Sequence, residues 1–167
     1  MDRIDLVLLV SRWLHIAAAI VAIGGAVFMR FALVPGAGEA LDATAHDRLR
    51  EAVRVRWARF VHASIALLLV TGSINFAILA LPPKVEPIPY HPMFGVKVLA
   101  ALAVFFIATA LVGRSAALAR MRQARKKWLT VSIVLAALIV LLSGILSQVR
   151  ISPRPVLGAP AGRATGE

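Results

Sequence analysis

The sequence predicts an all-α integral membrane protein, a four-helix up-down-up-down bundle, and three observations carry that prediction. First, 60% of the 167 residues are hydrophobic and the mean hydropathy is +0.84, which excludes a soluble domain of ordinary composition. Second, apolar segments stand at 4–31, 60–81, 94–112 and 128–149. Each is near the ~20 residues that a helix needs to cross about 30 Å of hydrocarbon. Third, the positive charge is one-sided. Arg30, Arg48, Arg50, Arg54, Arg56 and Arg59 separate the first two segments, and Arg114, Arg120, Arg122, Arg125, Lys126 and Lys127 separate the last two. The other side has Arg3, Lys84, Arg150, Arg154 and Arg163, while Arg12 and Lys97 lie within or at the edge of spans. The positive-inside bias then predicts an inner (plasma) membrane protein with both basic loops in the cytoplasm and both termini outside. Residues 1–150 read as one four-span domain, and the Pro- and Gly-containing tail at 151–167 as disordered.

The first span carries the sharpest chemical signal. Arg12 and His15 are three residues apart, hence on one helical face, and that face continues through Ala18, Ala19, Ala22 and Ala26. A lipid-facing helix has no use for either ionisable group, since an unpaired charge costs roughly 3 kcal/mol or more at the bilayer centre. The alanine strip admits a neighbouring helix or a flat ligand closely. The span is longer than the apolar core of a signal peptide, and Arg30 follows its small-residue end in place of a clear cleavage site. Beyond Met29, the residues Pro35, Gly36 and Gly38 predict a break in the helix at the inner surface.

Thr44 with Asp47 resembles a capping box, and 48–59 reads as an Arg-rich helix, its basic groups at lipid headgroups, that feeds into the second span. His46 in that turn reads as solvated. The second span places His62 one turn inside its cytoplasmic end and Ser64, Thr71, Gly72, Ser73 and Asn75 further out. Thr71 and Asn75 are i,i+4 neighbours suited to interhelical hydrogen bonding. His62 and His15 lie at different depths, so as metal ligands they belong to different sites.

Five prolines between Leu81 and Met93 make the outer loop a stiff, extended connector that holds His91 over the bundle. His91 and Met93 form a His-x-Met pair, ligands suited to copper or, one at a time, to haem iron. Lys97 stands one turn into the third span on the same side. The polar groups of the third and fourth spans are otherwise hydroxyls and one amide, among them Thr109, Ser132, Ser143, Ser147 and Gln148. Asp5 and Glu86 are the only acids near the outer side apart from the termini, so no di-carboxylate centre is available there. The absence of cysteine excludes disulfides, thiolate metal sites and a redox dithiol on this chain. The net charge of +11 is concentrated in the two basic loops beside the spans, which points to anionic membrane lipid as partner and away from nucleic acid.

Several of these residues also carry a resemblance. Arg12-Trp13-Leu14-His15-Ile16 with Gly24-Gly25 and Phe28, Arg59-Phe60 leading to Thr71-Gly72-Ser73-Ile74-Asn75, Phe94-Gly95-Val96-Lys97-Val98, and Arg114 together resemble the four-helix membrane domain of the copper-resistance D (CopD) family. The Leu14-His15 pair and Lys97 are also similar to the HemJ-type protoporphyrinogen oxidases. The first resemblance implies copper handling across the inner membrane. The second implies a b-type haem and tetrapyrrole oxidation, with His15 and Lys97 at the matching positions.

Three function classes follow. A haem-binding redox protein would use His15 as axial ligand, the alanine face as a seat for the macrocycle, and Arg12 or Lys97 to pair with propionates, Lys97 also being the candidate catalytic proton carrier. A copper protein would use His15, His91 and Met93. A structural or assembly subunit of a membrane complex would need no cofactor. An electron-transfer or membrane-complex partner and an oligomer are compatible with all three.

Overall fold

The computed structural model describes residues 3–80 and 90–151, apart from the side chains of 79, 80, 90–93 and 146–151. All regular structure among the described residues is helical, and four stretches are long and apolar enough to cross a membrane: Arg3–Ala40, Ala43–Ile78, Phe94–Val112 and Arg125–Ile145. The elements are α1 (Arg3–Phe28), a π-helical turn (Met29–Leu33), α2 (Val34–Ala40), α3 (Ala43–Ala80), α4 (Tyr90–Val112), a 3₁₀ turn (Ala116–Leu118), α5 (Ala119–Gln123) and α6 (Arg125–Ile151). The expected outer loop at 81–89 and the tail at 152–167 lie outside the described residues.

The four long helices close a ring in which α1 packs on α3 and α6, and α4 packs on α3 and α6. Neighbours run antiparallel. His15 meets Thr71 near one end of the α1–α3 pair, and Gly25 meets Trp57 towards the other. Phe76 stacks on Phe94 at 4.8 Å between α3 and α4, and Arg30 reaches Thr130 between α1 and α6. The bundle therefore has a basic end, where α1 passes into α2 and α4 into α5, and an opposite end with the start of α1.

The side-chain arrangement is that of a helix bundle in lipid. Large apolar side chains point outward, with Leu99 70% exposed and Ile20 and Leu141 each 65%. Much of what faces inward is small or hydroxylated: Ser11, Ala18, Ser64, Thr71, Ala100, Ala110, Ser132 and Ala136 are buried. Lipid tails are as apolar as leucine, so helices associate through close backbone approach and hydrogen bonds, which small residues permit. The larger buried apolar groups, Met29, Ile107, Leu111 and Leu129, cluster with Trp57, Trp128 and Leu135 in the half of the bundle nearer the basic end.

Three local expectations change. The chain does not break at Pro35. It continues helically to Ala40, because Pro35 falls in the first turn of α2, where its missing N–H is tolerated, directly after the wide π-helical turn. Helix α3 is capped by Asp42, whose Oδ1 accepts from the Ala45 amide at 2.9 Å, and not by Thr44. This is the usual N-cap geometry, set earlier in the chain than the capping-box reading placed it. Finally, α4 begins at Tyr90, so His91 and Met93 belong to its first turn and not to an extended connector. Proline in that first turn, here Pro92, costs no helical hydrogen bond.

The alanine strip of α1 is used for packing where it passes Gly25. A Cβ built there would overlap Cη2 and Cζ2 of Trp57, so the indole occupies the space that a side chain would need. Trp57 in turn stacks on Phe60, with ring centroids 5.8 Å apart. Gly25→Ala should destabilise the bundle by about 1–3 kcal/mol through overpacking. Gly24→Ala, whose added Cβ meets nothing within 4 Å, should be neutral or stabilising. Thermal unfolding of both variants in the same detergent checks the contrast, and equal stability of the two would remove Trp57 from its place on Gly25.

Candidate functional site

The polar half of the bundle is built around Thr71. Ser11, one turn before His15 on α1, donates from Oγ to the Thr71 carbonyl at 3.3 Å. His15 Nδ1 lies 2.8 Å from Thr71 Oγ1, and Thr71 Oγ1 donates in turn to the Leu67 carbonyl at 2.6 Å. A hydroxyl has one proton, and the Leu67 carbonyl takes it. The Thr71 oxygen must then accept from His15, which makes Nδ1 the protonated nitrogen. In the neutral imidazole this leaves the Nε2 lone pair uncommitted by the contact. Gly72 lies beside the ring: a Cβ built there would sit 3.5 Å from Cε1, an ordinary van der Waals distance.

Lys97 comes to the same region from across the ring of helices. Helices α3 and α4 are antiparallel and Phe94 stacks on Phe76, so Lys97, three residues into α4 from Phe94, falls at the level of Ser73, next to Gly72. The His15 and Lys97 side chains are both half-buried. The sequence singled out His15 and Lys97 on separate spans, and the fold brings them to one level.

The remaining candidates are distributed differently. Arg12 is exposed on α1, whereas His15 and Ala18 turn towards α3 and the interior. His62 is exposed and precedes Thr71 by nine residues, about 13 Å along the helix. It therefore does not share a ligand with His15. The side chains of His91 and Met93 lie outside the described residues. Among the described residues no group of three or more His, Asp or Glu is placed to hold a metal ion. Sequence reasoning passed over Ser11 and Trp57. Ser11 is one helical turn from His15, so its position on the same face was the available signal; Trp57 lies in a stretch whose arginines dominate the reading.

Two arginines of the basic loop are also committed within the protein. Arg54 donates from Nη1 to the Val112 carbonyl at the end of α4 (2.8 Å) while its Nε and Nη2 engage Glu51, and Arg50 donates from Nη2 to the Arg122 carbonyl at 3.3 Å. Arg114 approaches Glu51 at 3.5 Å. Helix ends leave carbonyls without partners, and these guanidinium groups supply the donors.

The fold and the lipid-like outer surface define the class: this is a multi-pass helical membrane protein. Comparison with family models, curated proteins and solved structures gave no match.

The tautomer assignment has a direct consequence. Thr71→Val keeps the side-chain shape but removes the acceptor, and it should cost about 1 kcal/mol of stability. Imidazole nitrogen NMR on protein labelled at histidine should give the Nδ1–H tautomer for His15 in the parent and a tautomer mixture in the variant. An Nε2–H ring in the parent protein would contradict the assigned direction of the His15–Thr71 hydrogen bond.

Proposed function

We propose that the chain is a membrane redox protein of HemJ-like character whose polar half would hold a b-type haem, with His15 as the residue that would bind its iron through Nε2. The observation that carries this reading is the His15–Thr71–Leu67 hydrogen-bond chain. A metal-ligating imidazole ordinarily donates its other N–H to a fixed acceptor, which sets the tautomer and the ring plane, and Thr71 is such an acceptor. The residues fit that role for a single neutral nitrogen ligand. Lys97, at the same level and half-buried, is a cation available to a propionate or to a proton passing through the site. When bound, haem would supply one-electron chemistry. The protein's own part is to hold the imidazole, balance the anionic edge of the macrocycle and keep lipid-phase surroundings around it. A basic end in the cytoplasm of an inner membrane completes the reading, by the one-sided arginine distribution.

The test is an absorption spectrum of protein purified with haem available to the cells. A Soret band lost in His15→Ala and retained in His46→Ala and His62→Ala supports the reading. Thr71→Val should weaken haem retention by roughly 10–100-fold, the range for loss of a supporting hydrogen bond. Lys97→Arg should retain more haem than Lys97→Met. A colourless, folded parent protein after haem supplementation would overturn the proposal. Orientation is checked separately, because the chain has no native cysteine. Arg56→Cys should react with an impermeant thiol reagent only from the cytoplasmic face and Ile4→Cys only from the opposite one.

A further inference from the structure

At the basic end, the junction of α2, the start of α3 and the α5–α6 elbow encloses a cleft of about 540 Å³. Its charged lining is entirely cationic: Arg50, Arg122, Arg125, Lys126 and Lys127, with His46 at the wall. The apolar part of the lining comes from Leu33, Val34 and Val53. No acid stands in the lining itself. Asp47 and Glu51 line an adjoining cleft that shares Arg50 and Arg122 with this one; Glu51 is engaged there by Arg54 and Arg114, and Asp47 stands 3.8 Å from His46.

Two guanidinium groups in the lining are incompletely satisfied. Arg122 Nη1 and Arg125 Nε are shielded from solvent and have no hydrogen-bond partner among the described residues. Arg125 Nη2 rests 3.5 Å from the thioether sulfur of Met29, a weak acceptor. Buried donors are almost always paired, and an unpaired charged donor is costly, so each orphan nitrogen marks a guanidinium that the described residues leave short of acceptors, and both side chains line a cleft with no acid in its lining. The N-terminus of α6, a 27-residue helix, opens on the same cleft through Arg125, Lys126 and Lys127 and adds its partial positive charge.

We propose that this cleft is a discrete binding site for a phosphate-bearing anion, held by the Arg122 and Arg125 guanidinium groups. The matching chemistry is a phosphate oxygen array against guanidinium forks, the geometry in which arginine exceeds lysine. Two sources offer it: the headgroup of an anionic phospholipid, whose glycerol and first methylenes would meet Leu33 and Val34, and free inorganic phosphate. The proposal differs from diffuse attraction of basic loops to a charged bilayer, because it assigns the binding to particular residues and not to net charge.

The experiment compares two double variants that lower the net charge equally. Arg122→Gln/Arg125→Gln alters the cleft, while Arg56→Gln/Arg59→Gln alters exposed arginines of α3 that do not line it. Each protein is reconstituted in nanodiscs of equimolar phosphatidylglycerol and phosphatidylcholine, and the lipids that survive gentle release are counted by native mass spectrometry. A parallel arm titrates detergent-solubilised, delipidated protein with inorganic phosphate. Retention of phosphatidylglycerol that falls about tenfold in the cleft variant and less than about twofold in the control identifies a lipid headgroup site. Phosphate binding with the same variant pattern, and no selective lipid, identifies the free anion. Should the cleft arginine variant fail to fold, Lys126→Gln/Lys127→Gln, at exposed positions of the same lining, takes its place with the same expectation. Equal losses in cleft and control variants, or binding of neither probe by the parent protein, would overturn the proposal.

Discussion

The close approach of α1 to α3 is the contact on which the rest of the bundle depends. In lipid, two helices gain little by hiding apolar surface from an apolar solvent, so association rests on small residues and interhelical hydrogen bonds. This pair has one device of each kind, set well apart along α1. Gly25 receives the Trp57 indole, and His15 and Ser11 hold Thr71 through its hydroxyl and its carbonyl. Together they fix the register of the antiparallel pair at two points. With that register set, Met29 and Arg30 are presented to α6, where they meet Arg125 and Thr130.

The two halves of the bundle divide the chemistry between them. Towards the basic end an apolar cluster around Met29, Leu111 and Leu129 fills the interior, and arginines outside it satisfy helix-end carbonyls. The other half is narrower in side-chain volume and richer in polar atoms, with Ser11, His15, Thr71 and Lys97 gathered at one level. Polar groups at that depth need partners from the protein itself, because the bilayer supplies none. The hydrogen-bond chain ending on the Leu67 carbonyl provides them for Ser11, His15 and Thr71, while the second imidazole nitrogen and the Lys97 ammonium stand outside that chain.

Architecture was legible in the sequence because its two signals, span length and loop charge, are one-dimensional. The four helices fall where apolar length and the arginine runs put them. The interest of His15 and Lys97 was also legible, since ionisable groups within spans stand out by cost alone. Their common outer side follows from topology as well, but the finer register, with Lys97 opposite Ser73, does not, because it depends on the antiparallel offset of α3 and α4 that the Phe76–Phe94 stack records. Likewise Arg12 shares a helical face with His15 by spacing, but the interior sees only the side of that face nearer Ser11 and Ala18. The Pro35 expectation failed for a specific reason. Proline penalises a helix only where its predecessor turn demands a donor, and a π-helical turn ahead of it relaxes that demand.

That π-helical turn between Phe28 and Val34 has a geometric effect beyond admitting a proline. A wider turn takes up one more residue than an α-turn without a matching advance along the axis, so the face of everything after it is rotated by about 100° relative to an uninterrupted helix. Val34 and Ala37 line the cationic cleft in that rotated frame, whereas His15 and Ala18 face α3 in the original one. The first helical stretch is thus two amphipathic surfaces on one rod, out of phase with each other, and the joint lies where the membrane core gives way to the basic end. A change of one residue in chain length at 29–33 would re-aim the cleft wall while leaving the buried polar level untouched, which makes this short segment the place where the two ends of the molecule can vary independently.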